Sequence, residues 1–295
     1  MKEHGAGFFS LFGALLGSGI FLVPSLAARA GSGGWLVPIM VLPLLAAVFL
    51  FLYHASLIRL PDTIMQCLRV VYAVLCAFLA ACALCLASVL CRDLMLPGAE
   101  PVLLIAVSAG VLYFCIATEH TVCGLNLMFF ACLAVITLMQ LLSLTQGRTE
   151  RLSASLSEPL EAGLGMLPFF SGIMTVPALA RRGVKKRSML LALVLSCAVY
   201  ALITAVCIAV LGDKACAGES YAALTVLKSG TVLLNMRLFF ASISFSLVML
   251  KPAVNLGWAA LASAEEVIKS KWLRPGICAL VLAAALLMRG IIQSL

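Results

Sequence analysis

Charge is the scarcest thing in this sequence. Only 20 of its 295 residues are Lys or Arg and 12 are Asp or Glu, 11 % together. An ordinary soluble chain carries about 25 %, so a soluble domain of this length is excluded. Histidine is nearly absent: His4, His54 and His120 stand far apart. No Ser-His-Asp arrangement and no histidine-based metal spacing can be built from them. The acidic residues fall almost wholly between apolar runs, which leaves no paired carboxylates for acid–base work. No glycine-rich phosphate loop occurs either. The chain is therefore read as no enzyme, with no cofactor and no metal. The short alternating stretches of a membrane barrel are also missing, because the apolar runs are too long. The net charge of +8 sits in short loops, where it sets topology. Nucleic acid is not an expected partner.

What is present is apolar: 64 % hydrophobic residues and a mean hydropathy of +1.16. The reading is a multi-pass, all-α protein of the cell membrane, with the lipid bilayer as its surroundings. Twelve cysteines occur, mostly inside apolar runs. Cys82-Ala-Leu-Cys85 has C-x-x-C spacing but no second pair, and reads as small apolar filler. Cys91 and Cys216 fall near helix ends on what reads as the outer side, where they could pair.

Nine spans are expected, at about 8–29, 35–57, 68–91, 101–117, 122–144, 162–180, 188–211, 234–262 and 275–293. Arg59, Asp62 and Arg69 surround a loop that starts at Pro61, and 145–160 is a polar connection between two halves. A polar outer segment with Asp213, Lys214 and Glu219 follows the seventh span. The densest basic cluster, Arg181-Arg182-Gly-Val-Lys185-Lys186-Arg187, should be cytoplasmic. Counting back from it places the N-terminus in the cytoplasm, and nine spans place the C-terminus outside.

The first span reads Gly13-Ala-Leu-Leu-Gly17-Ser18-Gly19-Ile20-Phe21-Leu22-Val23-Pro24. Glycine weakens a helix by about 1 kcal/mol relative to alanine, so Gly-Ser-Gly there points to a break. Non-helical backbone at membrane depth needs protein or a water-filled cavity around it. Two other readings stay open. Gly13-xxx-Gly17 is also a helix-packing motif, and Ala28-Arg29-Ala30 resembles a signal-peptide cleavage site. The sixth span is interrupted in the same way, by Gly163, Gly165, Pro168, Gly172 and Pro177. Matched Gly/Pro-interrupted spans in two halves are the sequence mark of an inverted-repeat transporter site. The fold expected is a single transmembrane domain over 1–295, with a five-plus-five inverted repeat and helices 1 and 6 broken. The first repeat covers about 8–144 and a second, incomplete repeat about 162–293, without a last helix.

Gly17-Ser-Gly-Ile-Phe21 followed by Pro24 resembles the first-helix motif of the amino acid–polyamine–organocation carriers. The closer resemblance is to the endospore germination permeases, the B subunits of nutrient germinant receptors. It extends through Ala30-Gly31…Gly34-Trp35-Leu36, Leu164-Gly-Met-Leu-Pro168-Phe-Phe-Ser-Gly172, the basic loop that follows, and Val210-Leu-Gly212. That family has ten spans, and it carries a glutamate and an arginine after span four. Here that region reads Glu119-His120-Thr-Val-Cys-Gly124, without the arginine.

The resemblance implies a spore germination receptor subunit of amino acid permease type. It would bind a small nutrient, an amino acid, in the inner membrane of the spore, beside other receptor subunits. The alternatives are a proton- or cation-coupled amino acid permease, or a degenerate structural subunit. Freed N–H groups around Gly17, Ser18, Gly19 and Ile20 would take the ligand carboxylate. Phe169, Phe170, Ser171 and Gly172 would line the facing wall. In sodium-coupled relatives hydroxyls on the eighth helix help hold the ion, which points to Ser242, Ser244 and Ser246. Lys251 follows them, and a buried lysine can lose its proton and replace a coupling cation. A lysine near a helix end can instead snorkel to the interface.

Overall fold

The computed structural model describes residues 3–17, 19–58, 60–94, 98–116, 119–229 and 234–292. Every one of the nine expected spans is helical, and no strand occurs among the described residues. In chain order the helices are α1 (Glu3–Leu16), α2 (Gly19–Ala28), α3 (Val37–Ala55), α4 (Asp62–Leu94), α5 (Pro101–Cys115) and α6 (Glu119–Ser143). Then come α7 (Pro159–Met166), a 3-10 segment (Leu167–Thr175), α8 (Val176–Arg181) and α9 (Lys186–Leu211). Two short helices, α10 (Asp213–Gly218) and α11 (Ala222–Ser229), precede α12 (Leu234–Glu265) and α13 (Leu273–Ile292). Among the described residues five helices are long and apolar enough to cross a membrane, and six counting the bent pair α1–α2.

Burial runs opposite to a soluble protein on the outside of this bundle. Phe51 is 72 % exposed, Phe114 72 % and Leu287 81 %, with many neighbours like them on α3, α4, α5 and α13. Apolar surface on that scale is stable only against lipid. The interior is built from small residues. On α4 the face made by Ala73, Cys76, Ala77, Ala80, Ala81, Cys85 and Ala87 is buried, while Val71, Val74 and Phe78 face out. This small face packs along α12, whose Ala253, Ala259 and Ala260 are equally buried. Lipid is as apolar as leucine, so close backbone approach between small residues is what holds such helices together. Cys76 and Cys85 belong to that face, and Cys82 Sγ lies 3.4 Å from Met288 Sδ. Cys91 and Cys216 are free thiols, and Cys216 points its sulfur at the Pro24 carbonyl at 3.6 Å.

Two stretches differ from expectation. Helix α4 begins at Asp62, so Arg69 lies on a helix and not beside a loop. An acidic residue in the first turn suits the positive end of the helix dipole. The polar stretch after α9 is not a plain loop, since it folds into α10 and α11. The connection at 145–160 straps one end of the bundle. Gly33 N donates to Ser155 O and Ser157 N to Ala30 O, both at 2.9 Å, and Arg151 Nη1 donates to Val210 O at 2.6 Å.

The opposite end carries the other charged network. Glu266 Oε2 lies 2.9 Å from Arg69 Nε and 3.6 Å from Arg181 Nη1, as an ion-pair network. Arg181 also donates to Ser263 Oγ at 2.6 Å. Arg182 lies over the Trp258 ring and Arg274 over Tyr113, at 4.8 and 4.1 Å. The basic cluster after α8 and the loop between α12 and α13 therefore share one end.

Candidate functional site

The first span breaks where the glycines stand. Helices α1 and α2 meet at a 52° bend, and Gly17 has φ +25, a conformation L side chains rarely adopt. In an unbroken helix the carbonyls of Leu15 and Leu16 would accept from residues one turn on. Here the Tyr200 hydroxyl of α9 takes that place. It lies 2.8 Å from Leu15 O and 2.7 Å from Leu16 O, and its one proton is shared between them. Tyr200 is fully buried and meets Phe170 edge-on at 5.3 Å.

The sixth span opens differently. Nine residues, Leu167–Thr175, run as a 3-10 helix, well beyond the usual short stretch. Its carbonyls are claimed by side chains. Thr175 Oγ1 donates to Gly172 O at 2.8 Å, and the Tyr72 hydroxyl of α4 donates to Met174 O. The two interruptions meet. A Cβ on Gly172 would overlap the Ala14 carbonyl of α1, and a Cβ on Gly19 would overlap the Tyr200 hydroxyl and crowd Phe169. Bare backbone is required on both sides of this crossing.

Most of the expected wall residues gather here. Gly17, Gly19 and the fully buried Ile20 stand on one side, with Phe169, Phe170, Ser171 and Gly172 on the other. Phe170 is 1 % exposed and edge-on to Tyr200, while Phe169 and Ser171 are half-buried. Ser18 lies outside the described residues, as do the side chains of Ser242, Ser244 and Ser246 on α12. The packing and break readings of the first span turn out to be one feature. The Gly13–Gly17 ridge lies against Lys251 and Pro252 of α12, since a Cβ on Gly13 would sit 3.2 Å from Lys251 Cγ and one on Gly17 would strike the Pro252 ring.

Lys251 is 3 % exposed, so it does not snorkel. Its ammonium donates to Val122 O of α6 at 3.5 Å, and it borders a cleft of about 60 Å³ with Cys115, Leu125 and Phe129. Further polar groups share this register. Asn255, one turn along α12, donates Nδ2 to Ser10 O at 2.8 Å. Ser10 Oγ, Asn255 Oδ1 and both polar atoms of Asn126 are buried with no partner among the described residues. A buried polar group without a partner is costly, and such atoms are what a bound water would use.

The arrangement has two chemical capacities. The end of α1 presents carbonyls with partial negative charge, and the start of α2 presents N–H groups with partial positive charge. Together they suit an ammonium and a carboxylate held close to each other. Lys251 suits a group that gains and releases a proton, or a fixed charge in the place of a cation. Sequence reading missed Tyr200, Ser10, Asn126 and Asn255. Asparagine inside an apolar span is a usable signal, and Asn255 stands one turn from Lys251. A tyrosine in an apolar span carries no such mark.

Compared with known proteins, the chain matches no family model and no curated protein.

Proposed function

We propose that this chain is a membrane-embedded receptor subunit of amino acid permease type, of the spore germination kind, which binds a small amino acid where its two interrupted spans cross. The observation that carries this reading is the close packing at the 52° break, where Gly172 abuts the Ala14 carbonyl and Gly19 abuts the Tyr200 hydroxyl and Phe169, with the carbonyl end of α1 next to the N–H end of α2. Such a break at midplane is how inverted-repeat carriers hold a zwitterion. The ligand carboxylate would face the N–H groups of α2, the ammonium the carbonyls of Leu15 and Leu16, and Phe169 the apolar side chain. In this reading the end with Arg181, Lys185, Lys186 and Arg187 faces the cytoplasm, together with the N-terminus. The five-plus-five repeat, the spore inner membrane and partner receptor subunits belong to the same proposal.

A second reading, a proton- or cation-coupled amino acid permease, is favoured by one observation. Lys251 is buried against the Gly13 face of the broken span, which a purely sensing protein does not need.

The test is titration of purified, folded protein with the twenty amino acids, by thermal shift and calorimetry. At least one is expected to bind saturably. No binding of any, with partner subunits present, would leave a degenerate structural subunit as the reading.

A further inference from the structure

The crossing is filled by the chain's own Tyr200, whose hydroxyl lies within 2.8 Å of both carbonyls freed by the break and against Gly19. A hydroxyl proton and an ammonium proton satisfy the same acceptors, and the carbonyls of Leu15 and Leu16 cannot serve both at full strength. Tyr200 is fully buried, with Phe170 edge-on to its ring, so it cannot leave without moving the 3-10 segment. Resting on the amino-acid reading above, we propose that Tyr200 is a built-in competitor: its phenol occupies the ammonium subsite and keeps the break closed until a primary ammonium displaces it. The ligand class is thereby narrowed to molecules that carry a primary ammonium. A free carboxylic acid gives the carbonyls nothing and leaves the phenol in place. Displacement would also swing Phe170 and the 3-10 segment, which couples occupancy of the break to the Tyr72–Met174 contact on α4. No covalent step is involved.

The test uses Tyr200→Phe, which keeps the ring and removes only the competing hydroxyl. Thr204→Val is the control: it stands one turn along α9, and its buried hydroxyl has no partner among the described residues. Two readouts separate this proposal from the one it rests on. The first needs no ligand. On a background without native cysteines, the fully buried Ile20 is changed to Cys and its labelling by a water-soluble maleimide is timed. Tyr200→Phe should speed labelling several-fold and Thr204→Val should not. An unchanged rate with Tyr200→Phe, or an equal gain with Thr204→Val, overturns the proposal. The second readout is binding of leucine, isopentylamine and 4-methylpentanoate to wild type and Tyr200→Phe. Leucine and isopentylamine should bind about tenfold tighter to the variant, the worth of one relieved hydrogen bond, and 4-methylpentanoate should not. An equal change for all three overturns the competition. Faster labelling, with no binding of any of the twenty amino acids by either protein, keeps the phenol as the plug of the break and sinks the amino-acid reading instead.

Discussion

Gly172→Val should be among the most damaging single substitutions in this chain. The space its side chain needs is held by backbone, the carbonyl group of Ala14, and not by a flexible side chain that can turn away. Accommodation requires α1 and the 3-10 segment to part, and that contact joins the two interrupted spans. Overpacking a core costs about 1–3 kcal/mol where side chains can adjust. Here the loss should be at least about 3 kcal/mol, in the range reserved for a few named mechanisms. Thermal unfolding in detergent, with the folded fraction followed by size-exclusion chromatography, measures it. Gly165→Ala is the comparison, because it lies in the same interrupted span with open space around it. That change should be neutral or stabilising by up to about 1 kcal/mol, the helix propensity gained. Equal stability of the two variants would mean that the spans do not meet as described.

Lys251 gives the largest functional effect. Lys251→Met keeps the apolar length of the side chain and removes the charge. Replacing a buried charge by apolar volume is often neutral or stabilising by about 1–4 kcal/mol, so the variant should insert and melt no lower than wild type. If the ammonium stands in for a coupling cation, uptake or germination response should nevertheless be lost. Lys251→Arg should fail as well, since arginine does not release its proton. Its larger head would also press on Phe129 and on the Gly13 face of α1. Normal response from Lys251→Met would end the coupling role and leave Lys251 a packing residue.

The extent of the fold was legible in the sequence because hydropathy alone sets the spans. The breaks were legible because glycines and prolines cluster in matching spans of the two halves, and both fell where Gly17–Gly19 and Pro168–Gly172 stand. The length of α4 was not legible, because residues 62–67 are mixed in polarity and follow Pro61, so hydropathy does not carry the helix back to Asp62. The depth of Lys251 was undecidable from its own span. Burial there depends on Gly13 of α1 and Val122 of α6 lying alongside, which is long-range packing. Tyr200 was invisible for the same reason. Its role comes from two carbonyls far away in sequence, freed by a break that its own helix does not announce.

The central question is whether the crossing holds a ligand, and Ser171 is the cleanest handle on it. Its side chain is half-buried on the 3-10 segment beside Gly172, and it supports no described hydrogen bond. Ser171→Ala leaves backbone and volume almost unchanged, so stability should hardly move. The decisive measurement is the affinity of purified wild type and Ser171→Ala for the amino acid that binds wild type best, by calorimetry. The prediction is binding weakened by about 0.5–1.5 kcal/mol, or roughly three- to tenfold, at unchanged melting temperature. Identical affinities would contradict it and remove Ser171 from the ligand site.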